Sequence, residues 1–267
     1  MASTLDFAIQ IARQAGELLI DYFQLSDLET KLKSDRTIVT EADLASDRLI
    51  SQAIRDRYPN DILISEEIQP LLIPDHDVQK SIFWIIDPLD GTTNFSLGLR
   101  FWGVLIARLV NGFPVLSVLN FPLIDELYFA EQGKGAFLNS KPIHVQPPTP
   151  THPLSFFACC SRTFQYYNVT IPYKARILGS SAYSYACVAR GIAVIGFDAR
   201  PKIWDIAAPW LLVAEAGGCI ETHDGSQPFP LQTGMQYAEQ NFPTLATASK
   251  ELLAKARKQI VLNSKER

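Results

Sequence analysis

The spacing of apolar residues along the first half of the chain predicts helices alternating with short strands. Apolar positions recur at helical intervals over residues 4–24, and a second helix is expected from Glu41 to Tyr58 with Thr40 as its N-cap. Strands are predicted from apolar runs at 62–65, 82–86, 101–110, 113–120 and 126–130. Asn111-Gly112 predicts a two-residue hairpin turn between the third and fourth of these. This pattern indicates a mixed, mostly antiparallel sheet with helices on one side.

Four prolines within residues 145–155 mark the strongest linker signal in the chain. They predict an N-terminal α+β domain over residues 1–146 and a C-terminal α/β domain over residues 147–267. In the second half, the pattern predicts strands at 155–160, 175–178, 192–197, 219–222 and 244–248, and helices at 181–190, 205–216 and 251–261. This alternation is typical of βα units.

Composition excludes several classes of function. The chain has 267 residues, 47% of them hydrophobic and 19% charged, so a folded globule is expected. The net charge is −4 and no basic block is present, so we expect no nucleic-acid partner. No apolar run approaches ~20 residues and the N-terminus lacks the pattern of a signal peptide, so we expect a cytoplasmic protein without a membrane partner. The four cysteines and four histidines show no zinc-like spacing.

The stretch WIIDPLDGTTNF, residues 84–95, carries the first chemical signal. The apolar strand should end at Asp87, and Pro88 should turn the chain outward, because proline cannot donate to a strand ladder. The resulting loop would project Asp87 and Asp90 to the same side. Carboxylates so close would repel, and a hard divalent cation such as Mg²⁺ removes that conflict. The alternative is a loop whose aspartates only cap nearby backbone amides.

Three further acidic residues lie where elements are predicted to begin or end. Glu66 follows the apolar run at 62–65, Asp205 is expected to be an N-cap, and Asp43 lies in the first turn of the second predicted helix. Pro209 is expected in or just past the first turn of the helix after Asp205, where a missing amide costs least. Each of these acids alone also has an explanation that involves no metal. Glu66 could lie at a solvated corner, Asp205 could only cap its helix, and Asp43 could be favoured by the helix dipole.

Taken together and in this order, these segments resemble the inositol monophosphatase family, which belongs to a larger superfamily of Mg²⁺-dependent, lithium-sensitive phosphatases. The resemblance rests on DPLDGTTNF at 87–95, WDIAAPWLLVAEAGG at 204–218, SEE at 65–67 and VTEAD at 39–43, and it spans nearly the whole chain. It implies a layered αβαβα sandwich of the sugar-phosphatase type, an α/β (α+β) fold.

The resemblance also implies a metal site for two or three Mg²⁺ ions. The first ion would be held by Glu66, Asp87 and the carbonyl of Leu89. The second would be held by Asp87, Asp90 and Asp205, and a weaker third would lie near Glu66. The family is commonly dimeric, so we expect a homodimer.

The catalytic and substrate contacts follow from the same resemblance. Thr92 and Asp43 would position and deprotonate the attacking water, and the amides of Gly91 and Thr92 would meet the phosphate. The substrate-binding segment corresponds to residues Gly179, Ser180 and Ser181, although serine capping of a helix explains the same residues. Asp198 stands where inositol monophosphatases have a glutamate that contacts inositol hydroxyls. Arg200, just beyond it, would favour a more anionic substrate or simply face solvent.

The expected activity is therefore Mg²⁺-dependent hydrolysis of a small phosphorylated substrate, with inositol-1-phosphate as the leading candidate. Histidinol phosphate, fructose-1,6-bisphosphate and 3′-phosphoadenosine 5′-phosphate are alternatives, because proteins of this fold hydrolyse them. Another alternative is a catalytically idle relative that binds RNA polymerase. Loss of Asp43, Thr92 or a ligand carboxylate would indicate such a relative, and all of these residues are present.

Overall fold

The structure, a computed structural model, describes residues 2–24, 30–32, 38–67, 78–148 and 155–263. Its helices are α1 Thr4–Phe23, α2 Glu41–Arg57, α3 Thr92–Ser96, α4 Thr163–Tyr166, α5 Ser181–Ala189, α6 Ile203–Glu215 and α7 Lys250–Gln259. Its strands are β1 Thr30–Leu32, β2 Ile38–Thr40, β3 Ile62–Ser65, β4 Ile82–Asp90, β5 Gly103–Val110, β6 Phe113–Phe121, β7 Glu126–Glu131, β8 Gly135–Leu138, β9 Lys141–Ile143, β10 Phe156–Cys159, β11 Tyr167–Val169, β12 Lys174–Ile177, β13 Ala193–Asp198, β14 Cys219–Thr222, β15 Thr244–Thr247 and β16 Ile260–Leu262.

Strand β4 is buried on both faces, as its continuous apolar sequence predicts. Trp84 and Ile86 pack into a core with α1 and α2, whereas Phe83 and Ile85 face a second core with α5 and α6. Because side chains alternate across a strand, one short segment joins both cores. Burying each side chain of this size contributes about 1.5–3 kcal/mol. The segment that leads into the two aspartates is therefore among the most firmly held in the molecule.

Two main sheets and three layers of helices build the fold. The first sheet has the order β3-β4-β5-β6-β7-β8-β9 and is antiparallel except for the β3–β4 pair. The second has the order β12-β10-β13-β15-β14 and is mixed, because β15 runs against its neighbours. Helices α1 and α2 cover the first sheet, α5 and α6 lie between the sheets, and α7 packs on the second. This αβαβα arrangement confirms the predicted fold class.

The predicted hairpin forms at residues 111–112. Asn111 and Gly112 have φ angles of 54° and 77°, and Val110 pairs with Phe113 across the turn. These left-handed conformations suit asparagine and glycine and match the twist of a tight hairpin. The turn starts the pairing of β6 with β5, and β5 in turn pairs with the aspartate-bearing end of β4.

Several predicted boundaries are wrong. The strand predicted at 101–110 begins at Gly103, and the last predicted helix ends at Gln259, after which β16 begins at Ile260. The sequence interpretation also missed the short elements β1, β2, β8, β9, α4 and β11. Elements of three or four residues contain too few positions to display a period.

The predicted domain boundary after residue 146 stays a prediction. Residues 149–154 of the proline-rich segment lie outside the described residues. Helices α5 and α6 come from the second half of the chain but pack in one core with strands of the first sheet. All four cysteines are free thiols, and no helix in the described ranges is long and apolar enough to cross a membrane.

Candidate active site

The two aspartates of the DPLD sequence lie within the end of β4. Asp87 is paired with Leu105 and Asp90 with Gly103, so three steps on β4 match two on β5. The prediction that the strand stops at Asp87 and continues as a loop is therefore wrong. Pro88 cannot donate a ladder hydrogen bond, and an irregularity of this kind lets the strand continue past it. The amide of Leu89 donates to Asp87 Oδ1 at 3.1 Å, which fixes that carboxylate.

Gly91 and Thr92 turn the chain from β4 into α3. Gly91 has a φ angle of 89°, and a Cβ atom there would lie 2.9 Å from the carbonyl oxygen of Phe101. Both observations require glycine. Thr92 begins the helix, and its Oγ1 lies 3.1 Å from Asp43 Oδ1 and 3.1 Å from the carbonyl of Leu89. The predicted catalytic pair is thus within hydrogen-bonding distance.

Asp43 is oriented by the N-terminus of α2. Thr40 is the N-cap, as predicted, and its amide donates to Asp43 Oδ2 at 2.8 Å while its Oγ1 accepts from the amide of Asp43 at 3.3 Å. This reciprocal arrangement is a capping box. It directs the other carboxylate oxygen of Asp43 towards Thr92. Asp43 is 1% exposed, and this burial raises its pKa to about 6.

Asp205 lies in the first turn of α6, and the prediction that it is the N-cap is wrong. Lys202 is the N-cap, and its amide donates to Asp205 Oδ2 at 2.6 Å. Pro209 lies inside the helix and not in the first turn or just past it, which corrects a second expectation. A proline there removes the amide that would donate to the carbonyl of Asp205. The helix therefore lacks one backbone hydrogen bond in the turn that follows this carboxylate.

Asp87, Asp90 and Asp205 converge. Each offers one carboxylate oxygen, and these oxygens all lie within 4.8 Å of one another. Burial raises the pKa of Asp90 to about 7, and burial together with neighbouring carboxylates raises the pKa of Asp87 and Asp205 well above the ordinary value. The raised pKa values mean that negative charge on these carboxylates is unfavourable without a counter-charge. Carboxylate oxygens are also hard ligands, so the group suits a divalent cation such as Mg²⁺.

Glu66 is brought beside this group by the pairing of β3 and β4. The strands run parallel, Ser65 is paired with Ile86, and the amide of Glu66 donates to the carbonyl of Ile86 at 3.4 Å. The register therefore places Glu66 alongside Asp87. Its charge contributes to raising the pKa of both Asp87 and Asp205, after burial. Glu66, one residue past the end of β3, therefore lies near enough to the aspartates of β4 and α6 for its charge to act on two of them.

The predicted substrate segment also contacts this group. Ser180 is the N-cap of α5, and its hydroxyl donates to Asp90 Oδ2. The amide of Ser181 donates to Asp90 Oδ1 at 3.2 Å. These contacts place the start of α5 directly beside the acidic group. That Gly179, Ser180 and Ser181 hold substrate oxygens stays a prediction.

Asp198 is the last residue of β13, and Arg200 lies on the segment that joins β13 to α6. Asp198 is half-buried, its charge contributes to the raised pKa of Asp90 and Asp205, and its Oδ1 accepts from the amide of Arg200 at 3.1 Å. The exposed guanidinium of Arg200 lies over the ring of Tyr166, 5.5 Å from its centroid. Lys202 donates to the carbonyl of Ala238 at 2.7 Å. Arg200 is therefore the cation of this segment that is held at the protein surface.

One residue that links α3, which follows the aspartate-bearing end of β4, to the predicted substrate segment was missed. Asn94 is 5% exposed, and its side-chain amide donates to the carbonyls of Phe101 and Leu178 at 2.7 and 2.8 Å. Gly179 packs directly against it, since a Cβ at Gly179 would lie 2.3 Å from Asn94 Oδ1. The only sequence signal was the position of Asn94 within DGTTNF.

Known proteins match this chain over most of its length, both in sequence and in fold. The inositol monophosphatase family matches residues 1–262. A histidinol-phosphatase of Chlorobaculum parvum is 34% identical over 246 residues, covering 85% of this chain and 88% of that protein. The Nus factor SuhB of Pasteurella multocida is 36% identical over 240 residues, covering 86% and 88%. The solved structure of a Thermotoga maritima IMPase has a TM-score of 0.75 and 28% identity, and the match covers 95% of each chain.

We expect Mg²⁺ to stabilise the protein more at about pH 8 than at about pH 5.5. A carboxyl group whose pKa is higher in the folded state adds stability below its unfolded pKa, and this contribution is lost as the pH rises through the folded pKa. Asp90, with a pKa of about 7, and its neighbours Asp87 and Asp205 should therefore lower the metal-free melting temperature as the pH rises. Bound Mg²⁺ removes the repulsion between the ionised groups, so its effect should be largest at the higher pH. Differential scanning fluorimetry with and without Mg²⁺ measures this.

Asp90→Asn is the control for this pH dependence. Without metal at about pH 8, the variant should melt at a higher temperature than the wild type, because one charge of the crowded group is removed. It should also gain less from Mg²⁺. A Mg²⁺ effect of equal size at both pH values would contradict the assignment of these carboxylates to a cation site.

Proposed function

The chain belongs to the inositol monophosphatase family, and on that premise we propose that it hydrolyses a small polyol or sugar phosphate, with inositol-1-phosphate as the leading substrate. The family relationship makes it a phosphomonoesterase, and the acidic group of Asp87, Asp90 and Asp205 indicates divalent metal ions. The observation that carries the proposal is this convergence of carboxylates beside the Thr92–Asp43 pair.

We assign Glu66, Asp87, Asp90, Asp205 and the carbonyl of Leu89 to hold two or three Mg²⁺ ions. When bound, the ions would neutralise the phosphate oxygens and help to activate the attacking water. The donor set supports this assignment, because all of its members are hard oxygen ligands. The geometry of the aspartates also supports it, since their oxygens all lie within 4.8 Å of one another.

We assign Thr92 and Asp43 to proton transfer from the attacking water. The hydroxyl of Thr92 donates to Asp43 Oδ1 at 3.1 Å, so Thr92 can accept a proton from a water molecule while it passes its own to Asp43. The capping box holds Asp43 in this orientation, which keeps the acceptor oxygen fixed. The phosphate would meet the backbone amides of Gly91 and Thr92.

The substrate's alcohol portion would lie against residues 179–181, Asp198 and Arg200. Asp198 supports a polyol, since a carboxylate accepts hydrogen bonds from hydroxyl groups. It also supports histidinol phosphate, whose ammonium group it could pair with. The 34% identity to a histidinol-phosphatase makes that compound the second candidate substrate. The 36% identity to a Nus factor supports a second candidate function that is not enzymatic, namely a regulatory role with RNA polymerase.

A panel of phosphate esters tests the proposed activity. Released phosphate would be measured with and without Mg²⁺ for inositol-1-phosphate, histidinol phosphate, fructose-1,6-bisphosphate and 3′-phosphoadenosine 5′-phosphate. We expect Mg²⁺-dependent turnover that is highest for inositol-1-phosphate and inhibited by Li⁺. Asp90→Asn should lower turnover at least about 100-fold at saturating Mg²⁺, because even partners outside the ligand shell typically account for 10–100-fold.

The result of this panel is decisive in either direction. Higher activity on histidinol phosphate would replace the leading substrate with the second candidate. No turnover of any ester by a protein that binds Mg²⁺ would contradict the proposal and favour the regulatory role. Near-normal activity of Asp90→Asn would contradict the metal assignment.

Asp198→Ala tests the contact with the alcohol portion of the substrate. A hydrogen bond to a charged group contributes about 1.5–3 kcal/mol, so we expect KM for inositol-1-phosphate to rise at least about 10-fold. The value of kcat should change little, since Asp198 is not assigned to the reacting atoms. The exposed Asp224 offers a matched control, and Asp224→Ala should leave KM unchanged. An unchanged KM in Asp198→Ala would remove this residue from the substrate site.

The expected homodimer is supported by exposed apolar residues near the site. Leu97 and Leu99, which follow α3, are 69% and 50% exposed, and Ile177 on the edge strand β12 is 53% exposed. The contact of Asn94 with Leu178 joins these two segments. We propose that a second copy of the chain covers them.

Leu97→Glu should convert the dimer to a monomer, because it places a charge in the proposed contact. Light scattering gives the molar mass, which should be twice the 29.8 kDa of one chain for the wild type. Phe113→Glu, at the exposed tip of the β5–β6 hairpin, is the control and should leave the mass unchanged. A monomeric wild type, or a Leu97→Glu variant that remains dimeric, would contradict this contact.

A further inference from the structure

Helix α2 turns a buried polar face towards the candidate metal site. Asp43, Ser46 and Asp47 occupy positions i, i+3 and i+4, which lie on one side of a helix, and they are 1%, 0% and 2% exposed. Asp43 contacts Thr92 and is assigned to proton transfer. Neither Ser46 nor Asp47 has a role in the reaction as described so far.

Ser46 contacts the irregular end of β4. Its hydroxyl donates to the carbonyl of Pro88 at 2.8 Å, between the two aspartates of the DPLD sequence. This bond ties α2 to the backbone that sets the directions of Asp87 and Asp90. Asp47, the next residue on the helix, makes a comparable contact with β3, the strand beside β4.

Asp47 contacts the end of β3 through Ser65. The hydroxyl of Ser65 donates to Asp47 Oδ1, and Ser65 Oγ itself accepts from the amide of Glu67 at 3.3 Å. Ser65 therefore fixes the chain on both sides of Glu66. The third restraint is the bond from the amide of Glu66 to the carbonyl of Ile86.

The burial of Asp47 is costly for a residue with only a packing role. Desolvation raises its pKa, and a buried carboxylate costs free energy that an apolar side chain of similar size would not. Arg55 and Arg48 act in the opposite direction, as do the hydrogen bonds it accepts. The feature that distinguishes its position is the connection through Ser65 to the segment that carries Glu66.

We propose that Asp47, acting through Ser65, is a positioning residue that directs Glu66 towards Asp87 and Asp205. Ser46 has the parallel function for the end of β4. The proposal rests on the proposed function in one respect, namely that Glu66 is taken to bind Mg²⁺. Groups that orient metal ligands commonly alter affinity when they are removed, without changing the chemistry of the ligands themselves.

The test compares Ser65→Ala, Asp47→Ala and Asp47→Asn with the wild type. Mg²⁺ binding would be measured by calorimetry without substrate, and phosphatase activity would be titrated with Mg²⁺. We expect Ser65→Ala and Asp47→Ala to need about 10-fold more Mg²⁺ for half-saturation, with kcat at saturating Mg²⁺ within about threefold of the wild type. Asp47→Asn should stay near the wild type, because its Oδ1 still accepts from Ser65.

The double variant separates a shared connection from two independent effects. If both residues act through one hydrogen bond, Ser65→Ala combined with Asp47→Ala should weaken Mg²⁺ binding no more than either change alone. Thr247→Val is the matched control. It removes a buried hydroxyl that donates to the carbonyl of Ser249 at 2.8 Å in the second sheet, and it should leave Mg²⁺ affinity unchanged.

Near-ultraviolet circular dichroism of the metal-free variants identifies any that fail to fold. If Asp47→Ala is one of these, Ser65→Ala and Asp47→Asn still decide the question. Wild-type Mg²⁺ affinity in a folded Ser65→Ala variant would overturn the proposal, as would additive losses in the double variant. A wild type that binds Mg²⁺ without hydrolysing any ester would refute the proposed function and leave this positioning role standing.

Discussion

The site depends on carboxylates that are held closer together than charged groups tolerate in a protein interior. Oxygens of Asp87, Asp90 and Asp205 lie within 4.8 Å of one another, and the charge of Glu66 acts on two of these aspartates. At an effective dielectric constant of about 20, two like charges at this distance repel by on the order of 3 kcal/mol. Protons or bound cations must therefore accompany the folded state. The stability of the folded protein therefore depends on the same protons and cations that the proposed reaction uses.

The fold maintains this crowding by giving each carboxylate its own donor. The amide of Leu89 holds Asp87, the start of α5 holds Asp90, and the amide of Lys202 holds Asp205. These donors belong to three different elements, and the two cores on either side of β4 fix those elements relative to one another. The carboxylates are thus oriented by the protein's own hydrogen bonds.

The sequence predicted what local patterns can encode. The continuous apolar run of β4 predicted its burial on both faces, and Thr40 was correctly predicted as the cap that precedes Asp43. Asp205 was misplaced within its helix, because an aspartate serves equally well as an N-cap or in the first turn. The contact between Ser180 and Asp90 joins residues 90 positions apart, and no local period reports such a contact. The same holds for the Asp47–Ser65 contact, which depends on how α2 packs over the sheet.

Anomalous diffraction from crystals grown with Mn²⁺ in place of Mg²⁺ tests the central claim most directly. Mn²⁺ accepts the same oxygen ligands and can be located by its own scattering. We expect anomalous peaks bounded by the carboxylates of Glu66, Asp87, Asp90 and Asp205, with the carbonyl of Leu89 among the ligands. Peaks only elsewhere on the protein, or carboxylates directed into separate cavities, would contradict this expectation.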